Sequence, residues 1–113
     1  MTVPRYAPRK GDLVTLAFRP EADHEPHGRC QALVVSNDLF NRATGFSYVC
    51  PITRTDRSNP FHVPIPPGAR VTGVVLADQL RSVDHAARDV RRLGRAPDGL
   101  LDDVLAIVDA VLF

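Results

Sequence analysis

The sequence predicts a mainly β fold with helices, an α+β domain in which short strands form a closed or half-closed barrel beside a C-terminal helix. Three observations predict it. Short apolar runs recur from residue 13 to residue 77, each bounded by Gly, Pro, Asn or Asp. The last residues carry apolar side chains at helical rather than strand spacing. The chain has 113 residues, enough for one domain (1–113) with a modest core.

The elements follow in order. Gly11-Asp12 opens a first strand, Leu13 to Phe18. A polar loop from Arg19 to Gly28 holds two Pro, two His and three acids, and is long enough to carry function. Gln31 to Val35 reads as a second strand. Ser36 is the expected cap of a short helical turn through Asp38-Leu39-Phe40-Asn41, which Thr44-Gly45 ends. Phe46 to Thr53 is a third strand, and Pro51 within it points to an edge or a bulge. After the polar loop Arg54 to Asn59, Phe61 to Ile65 alternates as a half-buried strand. Pro66-Pro67-Gly68 turns the chain, and Thr72 to Ala77 is a buried strand leading into Asp78 to Ser82. Val83 to Arg95 is arginine-rich and fits strand or helix. Pro97 and Asp98 are the expected start of the last helix. In it Leu101, Val104, Leu105, Val108, Val111 and Leu112 form one face, opposite Asp102, Asp103 and Asp109.

Composition narrows the function. No apolar run reaches the roughly 18 residues of a membrane span, and the polar, Pro- and Arg-interrupted start does not read as an export signal. A cytoplasmic location is expected, with Cys30 and Cys50 reduced. The net charge is +1, but all 14 bases lie before residue 96 beside nine acids, while the remainder holds four Asp and no base. Thirteen of the bases are Arg, whose planar fork suits phosphate. A codon bias would give the same excess, so charge alone does not name a nucleic-acid binder.

There is no glycine-rich phosphate loop, no nucleophile elbow and no Cys-x-x-Cys pair. His24-x-x-His27-x-x-Cys30 has metal-ligand spacing but no evident fourth ligand, and neither metal nor cofactor is expected. Cleaving a phosphodiester without metal needs a base, an acid and donors for the charged phosphorane. Glu25 and Arg29 of the first loop and Thr53-Arg54-Thr55 after the third strand could supply them. Taken alone, the same residues read more readily as a solvated surface pair and a strand end.

Several segments together resemble the MazF/PemK toxins: Gly11-Asp12-Leu13, Phe18-x-Pro20, Ala32-Leu33-Val34-Val35-Ser36 and Asn41-x-x-Thr44-Gly45. Pro51-Ile52-Thr53, Pro60-Phe61 and Gly73-Val74-Val75-Leu76-Ala77-Asp78-Gln79 continue the series, so the resemblance covers nearly the whole chain. It implies a small SH3-like barrel, paired as a homodimer. It implies sequence-specific cleavage of single-stranded mRNA, leaving a 2′,3′-cyclic phosphate and a 5′-hydroxyl, and a MazE-type antitoxin as partner. Thr53 and Glu25 match the family's catalytic Thr and loop Glu. RNA contacts are implied for Phe18, Arg19, His27, Asn41, Arg54, Thr55, Asp78, Gln79 and Arg81.

One departure matters. The family pattern Gly-x-Arg-Pro reads here Gly28-Arg29-Cys30-Gln31, so Cys30 takes the place of the catalytic Arg. Arg29, one residue earlier in a strand, should face the other way. A thiol has neither the charge nor the fork of a guanidinium, so weakened cleavage is expected. Three outcomes are open: a rearranged loop through which Arg29 acts, a substitution that weakens the enzyme, or an RNA- or antitoxin-binding module that does not cleave. The related CcdB-like gyrase poisons depend on a tail with Trp, and this chain has none and ends Val111-Leu112-Phe113.

Overall fold

Alternation along the strands places apolar residues on both faces of one sheet, and each face has its own core. The computed structural model describes residues 6–17, 29–56 and 58–113. Seven strands and two helices occur there: β1 (Asp12–Ala17), β2 (Arg29–Val34), α1 (Asp38–Thr44), β3 (Phe46–Thr53), β4 (His62–Pro64), β5 (Val74–Leu76), β6 (Arg81–Asp84), β7 (Arg91–Arg95) and α2 (Leu100–Leu112). The antiparallel sheet runs β4-β5-β3-β2-β1-β7, and β6 adds to β3. The two ends, β4 and β7, are not paired to each other among the described residues, so the sheet is open. Among the described residues no helix is long and apolar enough to cross a membrane.

Leu13, Leu33 and Cys50 face one core with Val63, Val71 and Val75, which Leu100 and Val104 of α2 complete. Val14, Ala32, Val34 and Val49 face the other, with Leu16, Val83 and Val90. Burial on both sides explains why β1 and β2 are nearly continuous apolar runs instead of alternating ones.

Several expectations need correction. The cap of α1 is Asn37, whose side chain accepts from the Phe40 amide at 2.9 Å. Ser36 instead accepts from the Tyr48 amide at 2.8 Å and donates to Asn41 Oδ1. Gly45 ends the helix in the left-handed region (φ 77°), as its position predicts. Pro51 lies in a central strand, not at an edge. The β6 pairing stops at Val49 and the β5 pairing begins at Ile52, so Pro51 occupies the interval between two partners. The ambiguous stretch resolves into β6 and β7 joined by a turn. The last helix starts at Leu100 after Gly99 (φ 85°), later than Pro97-Asp98. Its far end runs past the sheet, leaving Val111, Leu112 and Phe113 exposed.

Candidate RNA-binding groove

The register of β1, β2 and β3 determines which side chains meet. Leu16 pairs with Cys30, and Ala32 pairs with Pro51. Cross-strand partners share a face, so these four side chains form one surface. They line a groove of about 550 Å3 together with Val49, Ile52 and Val83, and with Gln79, Arg81, Ser82 and Arg88. The strands give it an apolar floor, while the β5–β6 connection, β6 and the β6–β7 turn add polar groups.

The Cys30 side chain therefore faces the groove, and Arg29 lies on the opposite face. Arg29 pairs with Ala17, and its Nη2 donates to Thr15 Oγ1 and to the Asp89 carbonyl, both at 2.7 Å. Its Nη1 meets Asp89 Oδ2 at 3.3 Å. Asp89 is also held by Arg91 at 2.6 Å. That hydrogen bond, with a smaller contribution from Arg29, holds the Asp89 carboxyl below the usual carboxylate range. Arg29 is thus committed to bracing the β6–β7 turn. The sequence argument that a one-residue offset reverses its direction agrees with this geometry.

Thr53 ends β3 two residues beyond Pro51, next to the groove residue Ile52 but outside the residues that line the groove. Its Oγ1 accepts from the Thr55 amide at 3.3 Å, which leaves the hydroxyl proton able to donate elsewhere. Gly73 (φ 128°) packs directly over it: a Cβ there would lie 2.2 Å from the Thr53 carbonyl oxygen. Only glycine permits this approach, so Gly73 sets the end of β3 against the start of β5. Arg54 and Thr55 follow on the exposed loop. Gln79 and Arg81, two of the residues expected to contact RNA, line the groove. Asp78 is turned towards His62, whose Nε2 lies 3.2 Å from Asp78 Oδ1.

Asn41 is corrected. It is fully buried, and its amide donates to the Pro8 and Ser36 carbonyls, so it braces α1 and offers nothing to a ligand. Phe18, Arg19, Glu25 and His27, with the His24-x-x-His27 spacing, lie outside the described residues. Cys50 is sealed in the core, where burial pushes its thiol up to about 12 and Asp78 adds to the shift. Neither cysteine is in a disulfide.

The sequence reading missed Arg88 and His62. Arg88 sits in the stretch whose secondary structure was ambiguous, so its direction was unreadable. Arg81 and Arg88 share one property: neither meets a carboxylate among the described residues. A groove with two guanidiniums that meet no carboxylate among the described residues, and an apolar floor, favours an anion with an apolar or aromatic part, as a nucleotide has.

Comparison with known proteins agrees with that chemistry. Residues 9–112 match the family described as PemK-like, MazF-like toxin of type II toxin-antitoxin system. The chain is 36% identical over 99 residues to the endoribonuclease toxin MazF of Escherichia coli K12, covering 87% of this chain and 88% of that one. It is 35% identical over 107 residues to the E. coli endoribonuclease PemK, covering 91% and 80%. Among solved structures, MazF of Deinococcus radiodurans superposes with a TM-score of 0.85 at 41% identity, covering 96% of this chain and 98% of that one. The MazE–MazF complex of the same organism gives a TM-score of 0.85 at 37% identity, covering 96% and 97%. The chain belongs to the PemK/MazF family of toxins of type II toxin–antitoxin systems.

Proposed function

We propose that this chain, a single toxin domain, is a metal-independent endoribonuclease that cuts single-stranded mRNA at a short sequence in the cytoplasm. The observation that carries the reading is the groove itself. It is lined by Cys30, Gln79, Arg81 and Arg88, with no carboxylate against its two guanidiniums among the described residues, and Ile52, the neighbour of Thr53 in β3, also lines it. Family membership supplies the reaction class.

The chemistry follows from what the bond requires. The ribose 2′-hydroxyl loses its proton to a base, and its oxygen bonds to phosphorus. The P–O5′ bond breaks, the leaving oxygen takes a proton, and the products are a 2′,3′-cyclic phosphate and a 5′-hydroxyl. Glu25 is assigned the proton transfer. The Thr53 hydroxyl donates to a non-bridging oxygen as charge develops on the phosphorane. Gln79 and Arg81 hold the strand, and the apolar floor receives an unstacked base. Replacing the family's Arg, Cys30 contributes shape but no charge.

The protein acts as a homodimer. Phe46, Tyr48, Phe61, Val111, Leu112 and Phe113 are exposed, which supports a covering surface between copies. A MazE-type antitoxin is the partner that restrains it, as in the MazE–MazF structure it resembles.

The test is incubation of purified protein with a long RNA in EDTA, followed by mapping of both ends. Cuts at one short sequence, with cyclic phosphate on the 5′ fragment, are expected. RNA bound but left intact would instead make the chain a binding module of the same fold.

A further inference from the structure

We infer that Arg88 grips the scissile phosphate in this chain, doing from the β6–β7 turn what neither Arg29 nor Cys30 does from β2. The inference rests on the ribonuclease reading above and names the cation that reading leaves unassigned.

A phosphorane gains negative charge on its non-bridging oxygens as the 2′-oxygen attacks. A metal-free site meets that charge with hydrogen-bond donors, and a guanidinium, with its fixed charge and fork, is the strongest of them. Glu25, Thr53 and Gln79 carry none. Arg29 has its guanidinium occupied by Thr15 and Asp89 on the far face of the sheet. To reach the groove it would have to break those contacts and pass through its own strand.

Arg88 has the opposite disposition. Its backbone is pinned twice: the carbonyl accepts from the Ala17 amide at 2.7 Å, and its own amide donates to the Asp84 carbonyl at 3.0 Å. Those bonds hold the turn against the end of β1, one residue from Leu16, the partner of Cys30. Its half-buried side chain lines the groove with Cys30. The guanidinium has one long contact, Nη1 to the Ala17 carbonyl at 3.5 Å, and no carboxylate among the described residues. A pinned backbone with an uncommitted head is preorganised for an incoming anion, and the planar fork matches two phosphate oxygens. Arg81 lines the same groove from exposed β6, also without a carboxylate, and holds a neighbouring phosphate. Arg88 therefore acts mainly on rate and Arg81 mainly on affinity.

The experiment uses the full chain and an RNA whose cut site has been mapped with the wild-type protein. Single-turnover rates are measured in EDTA. Affinity is measured on the same RNA with a 2′-deoxy nucleotide at the cut site, which cannot cyclise. Arg88→Ala is expected to slow cleavage by about 10² with little change in affinity, and Arg88→Lys to recover part of the rate. Cys30→Arg placed in the Arg88→Ala background returns a guanidinium to the same groove and is expected to regain about tenfold or more. Wild-type rate in a folded Arg88→Ala protein would overturn the inference, as would loss of cleavage in folded Arg29→Ala with Arg88→Ala unaffected. A loss in Arg88→Ala that lies wholly in affinity would also overturn it. Absence of cleavage by the wild-type protein itself would sink the ribonuclease reading and this inference with it.

Discussion

Two arginine-rich regions of this molecule have the same residue type and opposite uses. Around β7, Arg92 Nε and Arg95 Nη1 converge on Asp12 Oδ1 at 3.3 and 3.5 Å. The Arg9 amide and the Tyr6 hydroxyl donate to the other oxygen. Asp12 is 1% exposed, so this is a buried carboxylate satisfied from every side. Burial, with the Asp12 hydrogen bond second, pushes the Tyr6 hydroxyl far above its ordinary value and keeps it a donor. In the groove, Arg81 and Arg88 meet no acid among the described residues. The lesson is that an arginine count measures little until each guanidinium's partner is known. Arg92 and Arg95 share a buried carboxylate, and the groove arginines meet none among the described residues.

The largest test of this contrast is Asp12→Ala. Removing the carboxylate strips its partners of charge-assisted hydrogen bonds. The half-exposed guanidiniums regain water, so the cost should be about 3 kcal/mol, not the full loss of a buried pair. Urea unfolding would show it as a lower midpoint with an unchanged slope. A loss below about 1 kcal/mol would mean the β7 cluster is surface decoration.

Thr53→Ala comes next. It should slow cleavage by about 10², while the melting temperature hardly moves, since a strand-end hydroxyl supports little. Undiminished cleavage would remove Thr53 from the site.

Salt dependence separates the two arginine sets more gently. Arg81→Ala should reduce the slope of log affinity against log salt by roughly 0.7, the value for one single-stranded phosphate contact. Arg95→Ala should leave the slope where it was. Equal slopes in both variants would erase the distinction.

The smallest effect concerns His85, buried beside Ser47 with its Nδ1 2.9 Å from Ser47 Oγ. Burial holds its pKa below the ordinary histidine value near 6.5, although Asp84 pulls the other way. The unfolded chain then takes up the proton more readily. This group's contribution is present above about pH 6.5 and is lost as the pH falls through that value. His85→Asn should flatten stability between pH 7 and 5, by less than about 1.4 kcal/mol per pH unit, the limit for one proton. An unchanged pH profile in His85→Asn would place the acid sensitivity elsewhere.

Much of this molecule was readable from local pattern. The first three strands, the short helix ending at Gly45 and the amphipathic final helix follow from period, turn residues and capping. So does the reversal of Arg29 relative to residue 30, because side chains in a strand alternate. The errors have physical causes. Asn37 and Ser36 are both good caps, and only the contact with β3 gave Ser36 another partner. Asn41 sits in a family-like motif, but its neighbours Pro8 and Ser36 make it a buried brace.

The sequence by itself determined the periodicities, the family and the absence of a guanidinium at residue 30. Those are properties of neighbours along the chain, or of a pattern matched position by position. Tertiary structure alone decided that Arg29 is held by Asp89, sixty residues away, and that Arg88 and Cys30 line one groove. It also decided that Pro51 sits between two strands that pair on either side of it. Such facts depend on register and packing between segments distant in sequence, and no local preference encodes them.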